Sequence, residues 1–266
     1  MSRVVFLGGG RITSAMLAGL RLATTRHRLV VHDRNSGKLR DLKKRYAVAV
    51  EPELNRAVKQ ADVLIVAVRP SSVREVLRAI GNGIRSIDRP LLAVSLAAGV
   101  PLRVLSKLLG PPTRWARAMP SPLCRSGRSL TAVTFPRILS RADRKRVEDL
   151  FAGFGQVVEI PEGKFDAFTV IYSCSHGYHA LATLARTGQA AGLDRNTALL
   201  ASAHALADGI IAWRDGNDSL ESLLEEAVTP GGIAAATVTA MDATGYRRAV
   251  RQGVTSGLRR AHATTT

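Results

Sequence analysis

The residues that most restrict this chain are Gly8, Gly9 and Gly10. Val4 to Leu7, an apolar run too short for a helix of its own, meets this cluster directly. Beyond it Ile12, Ala15, Met16 and Leu20 recur at helical spacing. The pattern predicts strand, tight turn, helix. In such a unit the first glycine makes the turn, and the second, lacking Cβ, lets the backbone approach a pyrophosphate. The anion's charge is then met by free N–H groups and the positive end of the helix dipole. Gly8 and Gly10 suit those two roles, while the third position of the pattern, where strand and helix pack closely, holds Thr13 instead of glycine. An ordinary strand-to-helix turn would share these residues. The dinucleotide reading is favoured because a second strand ends in Asp33, at the expected separation of roughly 20 residues or a little more.

A chain of 266 residues, at about 150 residues per domain, suggests one or two domains, and two fit the pattern better. Hydrophobic residues make up 46%, yet no uninterrupted apolar stretch approaches the roughly 18 residues needed to span a bilayer. The N-terminus reads as a first strand and not as a signal peptide. Together these predict a cytoplasmic protein with no membrane partner. Cys124 and Cys174, the two cysteines, show neither metal-ligand spacing nor a disulfide framework, so free thiols and no metal are expected. The formal charge of +17 raises the question of a nucleic-acid partner. Against it, the arginines are spread over most of the length, with only short clusters such as Arg141 to Arg146, and aromatics are 5%, too few for stacking platforms. A field that draws in an anionic cofactor and a carboxylate substrate is use enough for the charge.

Along the chain, His27 to Asp33 reads as a second strand and Lys38 to Arg45 as part of the next helix. Two signals compete at this strand end. Asp33 could accept hydrogen bonds from ribose hydroxyls, which favours NAD, whereas Arg34 with Asn35 and Ser36 could cradle a 2′-phosphate, which favours NADP. A turn with a helix cap would use the same residues. The near-continuous apolar run within Ala61 to Pro70 suits a strand buried on both faces of a parallel sheet. A helix from Ser72 to Ile80, a strand from Leu91 to Leu96 and a helix from Pro101 to Leu109 follow. Ala97 and Ala98 are small enough to let a flat ring lie against the backbone. Trp115 to Met119 is a further short strand, with Trp115 and Met119 read as core. Strands alternating with helices argue for an α/β fold with a doubly wound sheet.

From Ser140 the character changes. A helix over Arg141 to Phe151 and a strand over Gln156 to Ile160 lead into helical spacing over Asp166 to Ala190, Arg195 to Trp213 and Ser219 to Val228. A boundary near Phe165 is expected. Within them His176 to Ala191 and Thr197 to Ile211 are alanine-rich and apolar on too many faces for a lone surface position, so they should pack on one another and on a second subunit. Thr229-Pro230-Gly231-Gly232 breaks the pattern, and a last helix starts at Gly245.

The order of these motifs resembles the pyrroline-5-carboxylate reductase family over nearly the whole chain. The resemblance rests on Phe6 to Ile12, Ala67 to Pro70, Ser95 to Gly99, Met119-Pro120, Ala227 to Gly232 and Gly245 to Arg247. It implies a Rossmann-type domain over residues 1–164 and an all-helical dimerisation and substrate domain over 165–266, assembled as a homodimer or larger homo-oligomer. The implied reaction is hydride transfer from NADPH, or NADH as the second choice, to the C=N bond of a cyclic imino acid, as in the last step of proline synthesis. Gly8, Gly10, Arg11 and Ile12 would hold the pyrophosphate and Arg34 and Asn35 the adenosine end. Ala67, Val68, Arg69, Pro70, Ala97 and Ala98 would line the nicotinamide side. Met119, Thr229, Gly231, Gly232, Ile233 and Ala234 would meet the substrate.

Three departures stand out. The family threonine that contacts the imine nitrogen, the proposed proton donor, is Ala234 here, and Thr237 lies nearly a helical turn away. The family's serine- and glycine-rich segment appears as Ser173 to His179, and Ser121 and Pro122 replace the asparagine and threonine after methionine-proline. Either His176, Tyr178 or His179 supplies the proton, because histidine changes charge nearest neutral pH, or the chain binds a dinucleotide without turnover and acts through its dimer surface. His204 reads as structural.

Overall fold

The computed structural model describes residues 2–85 and 89–263. Strands and helices alternate first: β1 (Arg3–Leu7), α1 (Arg11–Leu22), β2 (Arg28–His32), α2 (Ser36–Tyr46), β3 (Ala49–Val50), α3 (Leu54–Lys59), β4 (Val63–Val66) and α4 (Pro70–Arg85). Next come β5 (Leu91–Ser95), α5 (Leu102–Leu108), β6 (Thr113–Pro120), a short 3-10 turn at Pro122–Ser126, β7 (Ser129–Thr134), α6 (Arg141–Ala152) and β8 (Gly155–Glu159). Only helices follow: α7 (Glu162–Ile171), α8 (Ser175–Ala190), α9 (Arg195–Asp215), α10 (Leu220–Ala227), α11 (Ile233–Ala243) and α12 (Tyr246–Ala263).

The strands form one sheet in the order β3-β2-β1-β4-β5-β6-β7-β8. Every pairing is parallel except β6 with β7. Because side chains alternate across a strand, the apolar runs serve two cores. Val4 and Phe6 of β1 join α1, α2 and α6 on one face, while Val5 and Leu7 join α3, α4 and α5 on the other. The expected doubly wound α/β fold is therefore present. β3 and β7 are added to the six strands expected, and α3 and α11 to the helices.

The chain divides into two compact units. One runs to Tyr172 and takes in the last turns of α12 from Ser256; the other is Ser173–Thr255. In the first unit the end of α12 packs closely: a Cβ at Gly257 would sit 2.8 Å from Val170 Cγ1, and one at Gly99 would overlap the Ala261 carbonyl. In the second, α8 and α9 pack along one another, with Gly188 opposite Ala198. The single helix expected over Asp166 to Ala190 is two, and this is a correction. Tyr172 ends α7, its phenol oxygen accepting the Leu130 N–H at 2.9 Å. The Ser173 and Ser175 hydroxyls then bond each other at 2.7 Å, serine chemistry that competes with helix continuation. Charge is split as sharply as topology, since residues 173–255 hold six arginines against eight carboxylates. All of the chain's positive excess lies outside them.

Candidate active site

Five parallel strands, β1, β2, β4, β5 and β6, end along one edge of the sheet. Leu7 pairs with both His32 and Val66, Val66 with Ser95, and Ser95 with Arg117. The segments that leave this edge are the expected cofactor residues: Gly8 to Ile12, Arg34 with Asn35, Ala67 to Pro70, and Ala97 with Ala98. In open parallel sheets ligands bind in the crevice outside these strand ends.

The glycine turn is built from three different requirements. Gly8 has φ +105°, and a Cβ there would stand 2.7 Å from the Ala67 carbonyl oxygen. Gly9 donates its N–H to Asp33 Oδ2 at 2.7 Å, and a Cβ on it would press on Leu42 Cδ1 at 2.9 Å. Gly10 is different. It is the N-cap of α1 with φ −80° and no side-chain cap, and nothing lies within 4 Å of its would-be Cβ. Thr13, at the position where the pattern has a third glycine, is buried, and its hydroxyl donates to the Gly8 carbonyl at 2.5 Å. The hydroxyl ties turn to helix, a role that glycine fulfils by close packing. The residues fit a dinucleotide pyrophosphate: an uncapped helix start, a glycine with open space before it, and an exposed Arg11 beside it.

Asp33 and Arg34 have distinct tasks. Both carboxylate oxygens of Asp33 are engaged by backbone, Oδ2 by Gly9 and Oδ1 by the Asn35 N–H at 2.8 Å. Asn35 in turn caps α2, its side chain accepting the Lys38 N–H at 3.1 Å. Arg34 is exposed and pairs with Glu75 of α4 at 2.9 Å.

Met119, expected in the core, is half-buried near the end of β6, whereas Trp115 is buried with its indole N–H on the Leu109 carbonyl at 2.8 Å. Between them Arg117, 1% exposed, is the ionic centre that the sequence reading missed. It reaches Glu162 Oε1 and Asp166 Oδ1, each at 3.0 Å, and lies over the Phe165 ring at 4.5 Å. Glu162 also accepts the Leu102 N–H at 2.8 Å, so one guanidinium fastens α7 and the start of α5 beneath the strand ends. An arginine inside the apolar run Trp-Ala-Arg-Ala was the available signal, since a buried charge needs partners.

In the second unit, Thr229 to Gly232 form a tight turn, with Gly231 at φ +78° and the Gly232 N–H on the Thr229 carbonyl at 3.0 Å. Gly232 is the N-cap of α11, again without a side-chain cap, so its first N–H groups are available to a carboxylate. Ile233 is 90% exposed. Ala234 is exposed and carries no hydroxyl, while the Thr237 hydroxyl is spent on the Ile233 carbonyl at 2.9 Å. A groove of about 400 Å³ runs along α11 past Ala235, Ala236 and Thr239. His176, Tyr178 and His179 occupy the first turns of α8, all exposed. At 3.6 residues per turn His176 and His179 share a face, and Tyr178 projects from another. His204 pairs with Asp208 of its own helix at 2.9 Å.

Two family models match in order along the chain. Residues 3–99 match one described as NADP oxidoreductase coenzyme F420-dependent, and residues 162–264 match one described as pyrroline-5-carboxylate reductase dimerisation. Over nearly its whole length the chain is similar to pyrroline-5-carboxylate reductases. Relatives of that name include those of Synechocystis sp., 28% identical over 96% of this chain and 95% of its own length, and of Mycobacterium tuberculosis, 28% identical over 96% and 94%. Among solved structures, the reductase of Streptococcus pyogenes superposes with a TM-score of 0.89 at 22% identity, covering 98% of each chain. The Plasmodium falciparum pyrroline carboxylate reductase with NADP bound gives 0.87 at 21%, covering 100% of this chain and 98% of that one.

The helical unit, which matches the dimerisation model, has an apolar surface. Leu200 at 62%, Ile210 at 60% and Trp213 at 47% exposure are large apolar side chains of the kind a dimerisation surface presents. No helix among the described residues is long and apolar enough to cross a membrane.

Proposed function

We propose that this protein reduces the C=N bond of a cyclic imino acid, pyrroline-5-carboxylate or a related ring, with NADPH as the favoured reductant and NADH as the second. The observation that carries the reading is the open, uncapped helix start at Gly10, backed by relatives that share the name over their full length. The reduced nicotinamide, when bound, supplies hydride to the imine carbon. This chain's residues orient and bind. The N–H groups around Gly10, Arg11 and Ile12 hold the pyrophosphate, and Ala67 to Pro70 with Ala97 and Ala98 give the ring a flat wall. Met119 lies on the substrate side. The turn from Thr229 to Gly232 and the first N–H groups of α11, from Ile233 and Ala234, hold the substrate carboxylate. Residues 1–164 then serve the cofactor and 165–266 the substrate and the dimer.

The imine nitrogen must gain a proton as its carbon gains hydride. Ala234 has no proton to give and the Thr237 hydroxyl is committed to its own helix. We assign the donor to the start of α8, to His176 or His179 on their shared face before Tyr178 on its own. We place the protein in the cytoplasm, a compartment that holds reduced dinucleotides.

The test is oxidation of NADPH and NADH at 340 nm with pyrroline-5-carboxylate, pyrroline-2-carboxylate and piperideine carboxylates offered in parallel, on wild type and on His176→Ala and His179→Ala. Turnover that falls by ~10²- to 10⁴-fold in one histidine variant supports the assignment. Cofactor binding with no turnover of any imine overturns it in favour of a non-catalytic dinucleotide-binding protein.

A further inference from the structure

We propose that Glu75 sets the preference between 2′-phosphorylated and unphosphorylated dinucleotides through its hold on Arg34. The inference rests on the reading of the first unit as a dinucleotide site. Asp33, the residue placed to greet a ribose diol, has each carboxylate oxygen already accepting a backbone N–H, from Gly9 and from Asn35. It fastens the glycine turn to the loop before α2, and Lys38 Nζ stands 3.8 Å away. Asp33 keeps lone pairs for a ribose hydroxyl but, being negative, cannot favour a 2′-phosphate, so the group that discriminates in favour of that phosphate is the next side chain, Arg34.

Arg34 is held from one side only. Its NH1 group donates to Glu75 Oε1 at 2.9 Å, across 41 residues of sequence, and its remaining donors have no partner among the described residues. Both side chains are well exposed, at 77% and 64%. An exposed pair of this kind is weak, whereas a guanidinium takes a phosphate with two parallel bonds. A 2′-phosphate can thus share Arg34 with Glu75 or draw it away, and in either case meets a carboxylate on the far side of the same guanidinium. That negative charge lowers affinity for the phosphorylated ligand and leaves the unphosphorylated one unaffected. Glu75 acts as a counterweight that keeps NADH usable.

Binding separates these terms without catalysis. Adenosine 2′,5′-bisphosphate and 5′-AMP, followed by calorimetry, and NADPH and NADH, followed by fluorescence, are titrated into wild type, Glu75→Gln and Arg34→Ala. The amide of Glu75→Gln still accepts from Arg34 but carries no charge. It tightens both 2′-phosphorylated ligands about three- to tenfold, the effect of one charge a few ångströms away at a wet surface, and leaves 5′-AMP and NADH within about twofold. Arg34→Ala removes the discrimination. An unchanged or weakened NADPH affinity in Glu75→Gln, with Arg34→Ala still losing discrimination, overturns the role of Glu75 and leaves the site reading intact. Wild-type protein that binds none of the four ligands overturns both. Each substitution is on the surface, and melting at the wild-type temperature verifies the fold.

Discussion

Replacing Gly10 with valine should separate cofactor binding from folding. The backbone at this position has φ −80° and ψ −172°, a conformation open to any residue, and no heavy atom stands within 4 Å of the added Cβ. The folding cost is confined to the helix start, where valine is a poorer N-cap than glycine, about 0.5–1 kcal/mol. In a protein of this size that lowers the melting temperature by roughly 1–4 °C. The branched side chain fills the space in which a phosphate must approach the α1 N–H groups. Affinity should fall at least about 100-fold, roughly 2.8 kcal/mol at 1.4 kcal/mol per decade. Gly8→Val makes the opposite prediction: with φ +105° and the Ala67 carbonyl oxygen 2.7 Å from the new Cβ, it damages the fold itself by several kcal/mol. NADPH fluorescence titration beside thermal unfolding reads both variants. A Gly10→Val protein that binds NADPH like wild type, or one that fails to fold, would refute the argument.

Ala234→Thr places a hydroxyl in the exposed first turn of α11; with the proton coming from the start of α8, kcat for pyrroline-5-carboxylate should stay within about twofold at unchanged cofactor affinity, and a rise of ~10-fold or more would show that the donor belongs to α11 instead. Arg117→Met strips the buried cation from Glu162 and Asp166, whose side chains are 32% and 20% exposed and can rehydrate in place. The loss should be about 2–3 kcal/mol, at the low end for a broken buried pair, seen as a lower urea midpoint at unchanged slope. Burial pushes the Cys124 thiol up from 9.0 to about 11. The unfolded thiol ionises first as pH rises, so its contribution is complete below about pH 9 and lost as pH climbs toward 11, on the order of 2–3 kcal/mol. Cys124→Ala should flatten that part of the stability profile, and an identical slope in the variant would contradict the assignment.

How much of this was legible in the sequence depended on how local each signal was. The turn at Gly8 to Gly10 was, because only glycine meets a positive φ and two close approaches within three residues. The strands with unbroken apolar runs, such as Val63–Val66, were as well. β7 was not, since Ser129–Thr134 mixes three hydroxyl residues into its buried faces and is anchored through tertiary bonds such as that of Tyr172. The break between α7 and α8 carries no glycine or proline, so helical spacing runs through it. Of the candidate site, the edge where the parallel strands end could be read from the apolar runs alone. That Asp33 is tied to Gly9 and Asn35 while Arg34 pairs with Glu75 could not, because Glu75 is remote in sequence. The missing hydroxyl at Ala234 is visible in one letter, but that Thr237 is already spent on Ile233 is known only from the helix geometry.

The split of charge between the two units means that ionic strength acts on the protein through two unlinked channels. Near-neutral helices between Ser173 and Thr255 associate by covering apolar side chains, which salt leaves intact or strengthens. The cationic remainder attracts its anionic cofactor over distances comparable to the Debye length, about 8 Å under physiological conditions, and that attraction collapses as salt rises. Moderate salt therefore slows cofactor capture while the assembly stays whole, so a kinetic response to salt in this protein reports on encounter and not on dissociation of its subunits.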